Sequence, residues 1–231
     1  MKQRQTAQII YEDNHLIAAN KPVGWLSQGD ETGDWTLMDE MKRYIKWKYE
    51  KPGDVFLGSF HRIDRPASGV MIYAKTSKAL TRMNALIKDR QIKKEYLIVT
   101  ERRPLETADS LIHYMEKDKK RNISKAYDMK KKNRKESKLN YEMVGFLNQS
   151  CLIKVDLETG RSHQIRVQMS KIGANIIGDV KYGASKKMNN RGIALHCHSM
   201  SFIHPVKKEP ITIKAEMPKS FPFDAFRELG Y

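Results

Sequence analysis

Alternating apolar and polar residues along this chain predict a series of short β-strands. Residues 9–11 and 16–18 are apolar runs on either side of a polar stretch, which is the pattern of a β-hairpin. Residues 151–157 alternate strictly and predict a strand with one buried face. Further strands are expected at 70–74, 95–100, 194–203 and 211–215. The expected strands are spread over the whole chain.

Residues 34–49 repeat apolar positions at the spacing of an α-helix instead. Leu37 and Met41 fall on one face of that helix, and Asp34 or Thr36 is a candidate N-cap. A polar side chain at either position can accept a hydrogen bond from the free N–H groups of the first turn. The pattern therefore predicts an amphipathic helix that buries one stripe.

Two more helices are expected, over 77–89 and from Ser162 to about Ile172. Ser162 is the candidate N-cap of the second of these, and Gly173 is expected to end it. Helices and strands follow each other without a regular strand–helix–strand alternation. The sequence thus predicts an α+β fold with a mixed, mostly antiparallel central sheet and flanking helices. We interpret residues 1–231 as a single domain with a lysine-rich insertion at about 117–138.

The charge of the chain favours polyanionic partners. The 43 Lys and Arg residues exceed the 27 Asp and Glu residues, which gives a formal net charge of +16. Such a surface binds nucleic acid through phosphate contacts and counterion release, without sequence specificity. Eleven of the 22 residues in 117–138 are basic. This segment is interpreted as a mobile surface loop or as a basic hairpin that tracks RNA, and the two interpretations are compatible.

Cysteine content and missing motifs exclude several classes of protein. The chain has two cysteines, too few for a disulfide framework or a zinc finger. It contains no long apolar segment, no P-loop, no dinucleotide-binding glycine motif and no Cys-x-x-Cys pair. We expect a soluble, cytoplasmic protein that needs no cofactor.

Asp64 lies between two arginines, Arg62 and Arg65, in a polar loop that a Pro and a Gly separate from an apolar strand. Flanking cations favour the ionised carboxylate, and an ionised, positioned carboxylate can act as a nucleophile. The alternative is an ordinary surface ion pair, which is the commoner meaning of such a pattern.

A second cluster of candidate residues follows the glycine turn at Gly160. Arg161, His163 and Arg166 fall on the first turn of the expected helix, where free N–H groups favour an anion. This is a candidate phosphate or carboxylate site, or else a plain basic helix start. A contact between Arg166 and Asp64 would hold the carboxylate oriented and deprotonated.

Tyr96 and the pair His196 and His198 are each open to more than one interpretation. Tyr96 begins an expected strand and is either a core residue or a platform on which a nucleobase stacks. His196 and His198 lie on one face of a strand around Cys197, but no suitably spaced carboxylates complete a metal site. We therefore expect no metal.

Three separated blocks resemble the RluA-type RNA pseudouridine synthases, in the same order. They are the strand and Asn-Lys-Pro-Val-Gly turn of 11–24, the His-Arg-Ile-Asp-Arg block of 61–75 and the Gly-Arg-Ser-His-Gln-Ile-Arg-Val block of 160–167. Smaller similarities lie at 94–96, 178–183, 194–196 and 202–205. The resemblance spans nearly the whole chain and implies the pseudouridine synthase fold, as a stand-alone catalytic domain.

The resemblance also implies a role for individual residues. Asp64 would be the catalytic nucleophile and Arg166 would pair with it. Tyr96 would be a third catalytic residue, which stacks on the target base and assists proton removal. Arg62 would occupy the space that a flipped uridine leaves, and Ile165 would pack against the base pocket. The matching blocks supply four further substrate-binding candidates: His61, Arg65, Arg161 and His163.

The expected activity is isomerisation of uridine to pseudouridine in ribosomal or transfer RNA, by a monomer that needs neither cofactor nor protein partner. One alternative is a non-catalytic RNA-binding protein of the same fold. Another is a metal-dependent nuclease, which would need converging carboxylates where Asp64 has basic neighbours.

Overall fold

The computed structural model describes residues 7–230, which divide into two compact units. Unit 1 comprises residues 7–92 and 197–216, and unit 2 comprises residues 93–196 and 217–230. Our interpretation of residues 1–231 as one catalytic domain stays a prediction.

The described residues contain strands at β1 Gln8–Glu12, β2 Leu16–Lys21, β3 Gly58–Ser59, β4 Ser68–Ala74, β5 Lys93–Thr100, β6 Ala108–Asp118, β7 Ile123–Tyr127, β8 Lys135–Leu147, β9 Ser150–Leu157, β10 Leu195–Ile203 and β11 Pro210–Lys214. The α-helices among them are α1 Leu37–Lys48, α2 Ser77–Lys88, α3 Gln164–Lys171 and α4 Phe223–Glu228, and a short 3₁₀ turn spans Val180–Tyr182.

Unit 1 is built on a sheet whose centre is β4. The expected hairpin is confirmed, since β1 pairs antiparallel with β2, and β2 pairs antiparallel with β4. The short strand β3 also pairs with β4, while β10 pairs with β11. Every residue of β4 is buried, as is usual for a central strand covered on both faces.

Gly69 at the start of β4 shows how closely the chain packs there. Its φ of +116° is a conformation that residues with a side chain rarely adopt. A Cβ atom at this position would lie 2.2 Å from the carbonyl oxygen of Cys197. The residue that ends the Asp64 loop is therefore restricted to glycine by both its conformation and its neighbour.

Helix α1 forms where the apolar periodicity predicts a helix. Thr36 is the N-cap, because its hydroxyl accepts the Asp39 N–H while the Asp39 carboxylate accepts the Thr36 N–H. Leu37, Met41 and Ile45 are buried, as expected. The other candidate cap, Asp34, lies outside the helix.

Unit 2 is an antiparallel sheet in the strand order β5-β9-β8-β6-β7. The basic segment, residues 117–138, covers the end of β6, all of β7 and the start of β8. The expected hairpin is therefore present, since β6 pairs with β7, whereas its contact with RNA stays a prediction. The strand pairings described above for the two units are antiparallel, so the expected α+β fold with a mostly antiparallel sheet is confirmed.

The start of α3 corrects the expected N-cap. The cap is His163, not Ser162, and His163 has a left-handed backbone with φ of 57°. The Ser162 hydroxyl is buried and has no hydrogen-bond partner within the part of the chain that the structure describes. Its carbonyl instead accepts a hydrogen bond from the Ser124 hydroxyl at 2.8 Å, so a tertiary contact overrides the local capping preference. The helix ends at Lys171, and Gly173 follows with a φ of +79°.

Both cysteines are buried thiols, and burial raises the pKa of Cys151 to about 11. No helix among residues 7–230 is long and apolar enough to cross a membrane. The cytoplasmic location and the monomeric state stay predictions.

Candidate active site

The loop that carries Asp64 joins β3 to β4 in unit 1, and Ser27 holds its backbone in place. The Ser27 hydroxyl donates to the Ile63 carbonyl at 3.0 Å and accepts the Ile63 N–H at 3.1 Å. One turn later the Ala67 N–H donates to the Asp64 carbonyl at 3.0 Å. Asp64 itself is half-buried. The N–H and the carbonyl of Ile63, the residue before Asp64, are thus both hydrogen-bonded to Ser27. These bonds restrict the direction in which the Asp64 side chain can point.

Lys21 is a fully buried cation that contacts the same loop, and its role was not predicted from the sequence. Its ammonium donates to the carbonyl oxygens of Pro22 at 3.0 Å, Trp25 at 2.8 Å and Arg65 at 3.3 Å. Burial lowers the pKa of Lys21 to about 7; the negative charge of Asp64 opposes this fall and the positive charge of Arg65 adds to it. The only sequence signal was a lysine inside the Asn-Lys-Pro-Val-Gly turn.

The flanking residues of Asp64 have partners of their own. Arg65 forms an ion pair with Asp34 at 2.7 Å, and its Nε donates to the Gly24 carbonyl at 3.0 Å. His61 accepts the Ile72 N–H at Nε2, at 2.9 Å, which ties the loop to β4. Arg62 is exposed. Two of the three substrate-binding candidates in this block therefore also hold the loop in place.

In unit 2, Arg166 forms a bidentate ion pair with Asp179. Its Nε lies 2.6 Å from Asp179 Oδ2 and one terminal nitrogen lies 2.8 Å from Oδ1. The arginine is 5% exposed and the aspartate 2%, so the guanidinium is held in a buried environment. Planar pairing of this kind fixes the orientation of the guanidinium as well as its position. Apart from the similarity at 178–183, no pattern in the sequence indicates this partner.

Tyr182 also lies beside Arg166. The guanidinium carbon lies 4.9 Å from the centre of the Tyr182 ring, a cation–π distance. The Tyr182 hydroxyl lies 2.7 Å from His163 Nδ1 and accepts the Ser124 N–H at 2.9 Å. The contact with Tyr182 holds the side chain of His163, whose backbone is in the left-handed region.

The other candidate residues in unit 2 also have defined positions. The Arg161 N–H donates to Gln164 Oε1 at 3.0 Å, and Arg161 Nε donates to the Glu136 carbonyl at 3.1 Å. Ile165 is buried on the first turn of α3. Tyr96 is buried on β5, opposite Val155 of β9.

The candidates thus fall into two sets, each ordered within its own unit. Unit 1 holds Asp64 with His61, Arg62 and Arg65; unit 2 holds Arg166 with Tyr96, Arg161, His163 and Ile165. The expected contact between Arg166 and Asp64 stays a prediction. His196, one of the residues weighed as a metal ligand, packs edge-on against Phe223 with ring centres 6.2 Å apart. The described residues contain no cluster of three or more His, Cys, Asp or Glu side chains that could hold a metal ion.

Comparison with known proteins identifies the family. The family model described as RNA pseudouridylate synthase matches residues 15–171, which include Asp64, Tyr96 and Arg166. The chain belongs to the RNA pseudouridylate synthase family. As a member, it is an enzyme that isomerises uridine in RNA to pseudouridine, and the resemblance drawn from the sequence blocks is confirmed.

Curated relatives support the same assignment along the chain. Ribosomal large subunit pseudouridine synthase D of Zymomonas mobilis is 32% identical over 225 residues, covering 92% of this chain and 69% of the relative. Ribosomal large subunit pseudouridine synthase C of Buchnera aphidicola (subsp. Baizongia pistaciae) is 29% identical, covering 92% and 68%.

A solved structure shows the fold. Human RNA pseudouridylate synthase domain containing 4 superposes with a TM-score of 0.79 at 21% identity, covering 95% of this chain and 92% of that one. The expected pseudouridine synthase fold is therefore confirmed.

Proposed function

We propose that this enzyme acts on ribosomal RNA, with Asp64 as its catalytic carboxylate. The relatives named as large-subunit ribosomal enzymes support the proposed substrate class. The single observation that carries the catalytic assignment is the anchoring of the Asp64 loop. Contacts from Ser27 and Lys21 hold its backbone at Ile63 and Arg65, on either side of a carboxylate that is only half-buried. A carboxylate positioned in this way is organised before the substrate arrives.

The reaction is an isomerisation in which no electrons are gained or lost overall. The bond between uracil nitrogen 1 and ribose carbon 1′ breaks, the base turns, and carbon 5 bonds to carbon 1′. The proton on carbon 5 leaves, and nitrogen 1 gains a proton. Asp64 is the group that attacks the sugar, attacks the base or removes a sugar proton, and each of these roles requires its ionised form.

The target uridine must leave the helical stack before the reaction. Unstacking costs a few kcal/mol and favours uridines in loops. In our proposal Arg62, which is exposed next to Asp64, occupies the space that the flipped base leaves. Tyr96 and Ile165 contact the base, and Arg166 holds the Asp64 carboxylate ionised.

Affinity for RNA comes from charge outside the reacting residues. Nine lysines and arginines of the basic segment are exposed: Lys117, Lys119, Lys120, Arg121, Lys125, Lys130, Lys131, Lys132 and Lys135. Each phosphate contact releases counterions, so binding should weaken steeply as salt rises. His61, Arg65, Arg161 and His163 are further candidates for contact with the substrate.

Release of tritium from uridine carbon 5 tests the proposed substrate. An unmodified transcript of large-subunit ribosomal RNA, labelled at that carbon, should release label to water when the purified chain is added. A transfer RNA transcript is the matched control and should release little. Binding without release from either RNA would favour the non-catalytic alternative, and release from transfer RNA alone would contradict the ribosomal substrate.

A further inference from the structure

Tyr182 touches both the basic segment and the ion pair of Arg166, although it carries none of the roles proposed so far. It ends the 3₁₀ turn that begins directly after Asp179. Its ring faces the Arg166 guanidinium at 4.9 Å, while its carbonyl accepts a hydrogen bond from the Ser170 hydroxyl of α3 at 2.6 Å. Tyr182 is therefore fixed to α3 through its backbone and to Arg166 through its ring.

The hydroxyl of Tyr182 points to β7, the middle strand of the basic segment. It accepts the Ser124 N–H at 2.9 Å, and the Ser124 hydroxyl donates to the Ser162 carbonyl at 2.8 Å. Next to these contacts, the Lys181 ammonium donates to the Asn122 carbonyl at 3.1 Å. Three hydrogen bonds thus join Ser124 and the nearby Asn122 to the 3₁₀ turn and to the Ser162 carbonyl just before α3.

Strand β7 connects an exposed basic side chain, which RNA would contact, to these hydrogen bonds. It is an edge strand of five residues and pairs with β6. Ser124 is buried, whereas the next residue, Lys125, is exposed on the opposite face, as alternation in a strand requires. A phosphate drawn to Lys125 therefore acts on the same short strand that holds the Tyr182 hydroxyl.

We propose that Tyr182 is a positioning residue, through which RNA bound to the basic segment restricts the motion of the Arg166–Asp179 pair as a unit. The proposal rests on the function proposed above, because it gives the basic segment a role in positioning the catalytic groups as well as in binding RNA. RNA that stiffens β7 would fix the Tyr182 hydroxyl, and with it the ring that faces Arg166. The Ser124–Tyr182 hydrogen bond and the contact of the Tyr182 ring with Arg166 form the contiguous set of contacts that such coupling requires.

Tyr182→Phe removes the hydroxyl and keeps the ring over Arg166. Tyr141→Phe is the matched control, since its hydroxyl donates to the Glu106 carbonyl at 3.1 Å in the same unit, without touching Arg166 or β7. Tyr141→Phe loses this one hydrogen bond, whereas Tyr182→Phe loses the contacts of the hydroxyl with Ser124 and His163. Only Tyr182→Phe breaks the proposed link.

Hydrogen exchange with polyuridylate as the probe tests the link without requiring catalysis. In the native chain and in Tyr141→Phe, polyuridylate should protect the amides of the basic segment and those of α3. In Tyr182→Phe it should protect the basic segment alone. Equal protection of α3 in Tyr182→Phe, or no protection of α3 in the native chain, would overturn the proposal.

Single-turnover label release at saturating RNA gives a second, independent readout. Replacing Lys125 by alanine should slow the native chain about tenfold, because a displaced catalytic group loses rate steeply. In the Tyr182→Phe background the same replacement should weaken binding but slow the reaction no further. Additive losses would overturn the coupling. Absence of label release from every variant would contradict the proposed function, and the exchange experiment alone would then decide the role of Tyr182.

Discussion

Arg166 and Asp179 form a buried bidentate ion pair, with nitrogen–oxygen distances of 2.6 and 2.8 Å. A buried pair is strongly destabilising to break, because the remaining charge keeps its desolvation cost without its partner. We expect Asp179→Asn to lower the free energy of unfolding by about 3 kcal/mol, measured by urea denaturation.

The matched control for this prediction is Asp128→Asn. Asp128 pairs with Lys171 at 3.0 Å, but its side chain is 75% exposed, and pairs of this kind contribute little. The urea midpoint of Asp128→Asn should stay close to that of the native chain. Equal shifts for the two variants would mean that the Arg166–Asp179 pair is not held in a low-dielectric environment.

Lys21 should give the stability of this protein an unusual dependence on pH. Its folded-state pKa of about 7 lies below the usual lysine value of 10.5. Between these values the unfolded chain binds a proton that the folded chain has released, so the free energy of unfolding rises with pH across this window. The slope from this one group reaches about 1.4 kcal/mol per pH unit, and it vanishes below pH 7, where both states are protonated.

Denaturation at pH 6.5 and pH 9, for the native chain and for Lys21→Met, isolates this contribution. Methionine keeps most of the side-chain volume but cannot donate to the three carbonyls, so the variant should be less stable at both pH values. Its rise in stability between the two pH values should be smaller than that of the native chain. A rise of the same size in both proteins would show that Lys21 is charged throughout the window.

Gly69 is predicted to tolerate no side chain. Gly69→Ala would add a Cβ 2.2 Å from the Cys197 carbonyl at a φ of +116°, so the backbone would have to move. We expect a loss of about 4 kcal/mol in the free energy of unfolding, from overpacking and backbone strain together. Gly53→Ala is the control, because a Cβ there meets no atom within 4 Å. Similar thermal midpoints for the two variants would contradict the close approach of Gly69 to Cys197.

The local elements of this fold could be predicted from sequence because each depends on residues close together in the chain. Helix α1 begins at the cap that Thr36 forms with Asp39, only three residues away. The β1–β2 hairpin and the alternating strand β9 likewise follow from neighbouring side chains. The position of the Asp64 loop followed from the same kind of local pattern.

The partners of the candidate residues could not be predicted, because they come from distant parts of the chain. Asp179 lies 13 residues after Arg166, and Ser27 lies 36 residues before Ile63. The predicted cap of α3 was wrong for the same reason. The Ser162 carbonyl bonds to Ser124, 38 residues away, and the observed cap is His163. A pattern of neighbouring residues carries no information on such contacts.

The dependence of catalysis on Asp64 is the central claim, and substitution by asparagine tests it most directly. Asp64→Asn keeps the size of the side chain and removes its charge, so it should abolish tritium release from labelled ribosomal RNA while RNA affinity stays within about twofold. Asp34→Asn is the control: it removes an exposed carboxylate that pairs with Arg65 of the same loop, and it should keep most of the activity. Label release by Asp64→Asn at a rate near that of the native chain would contradict the account.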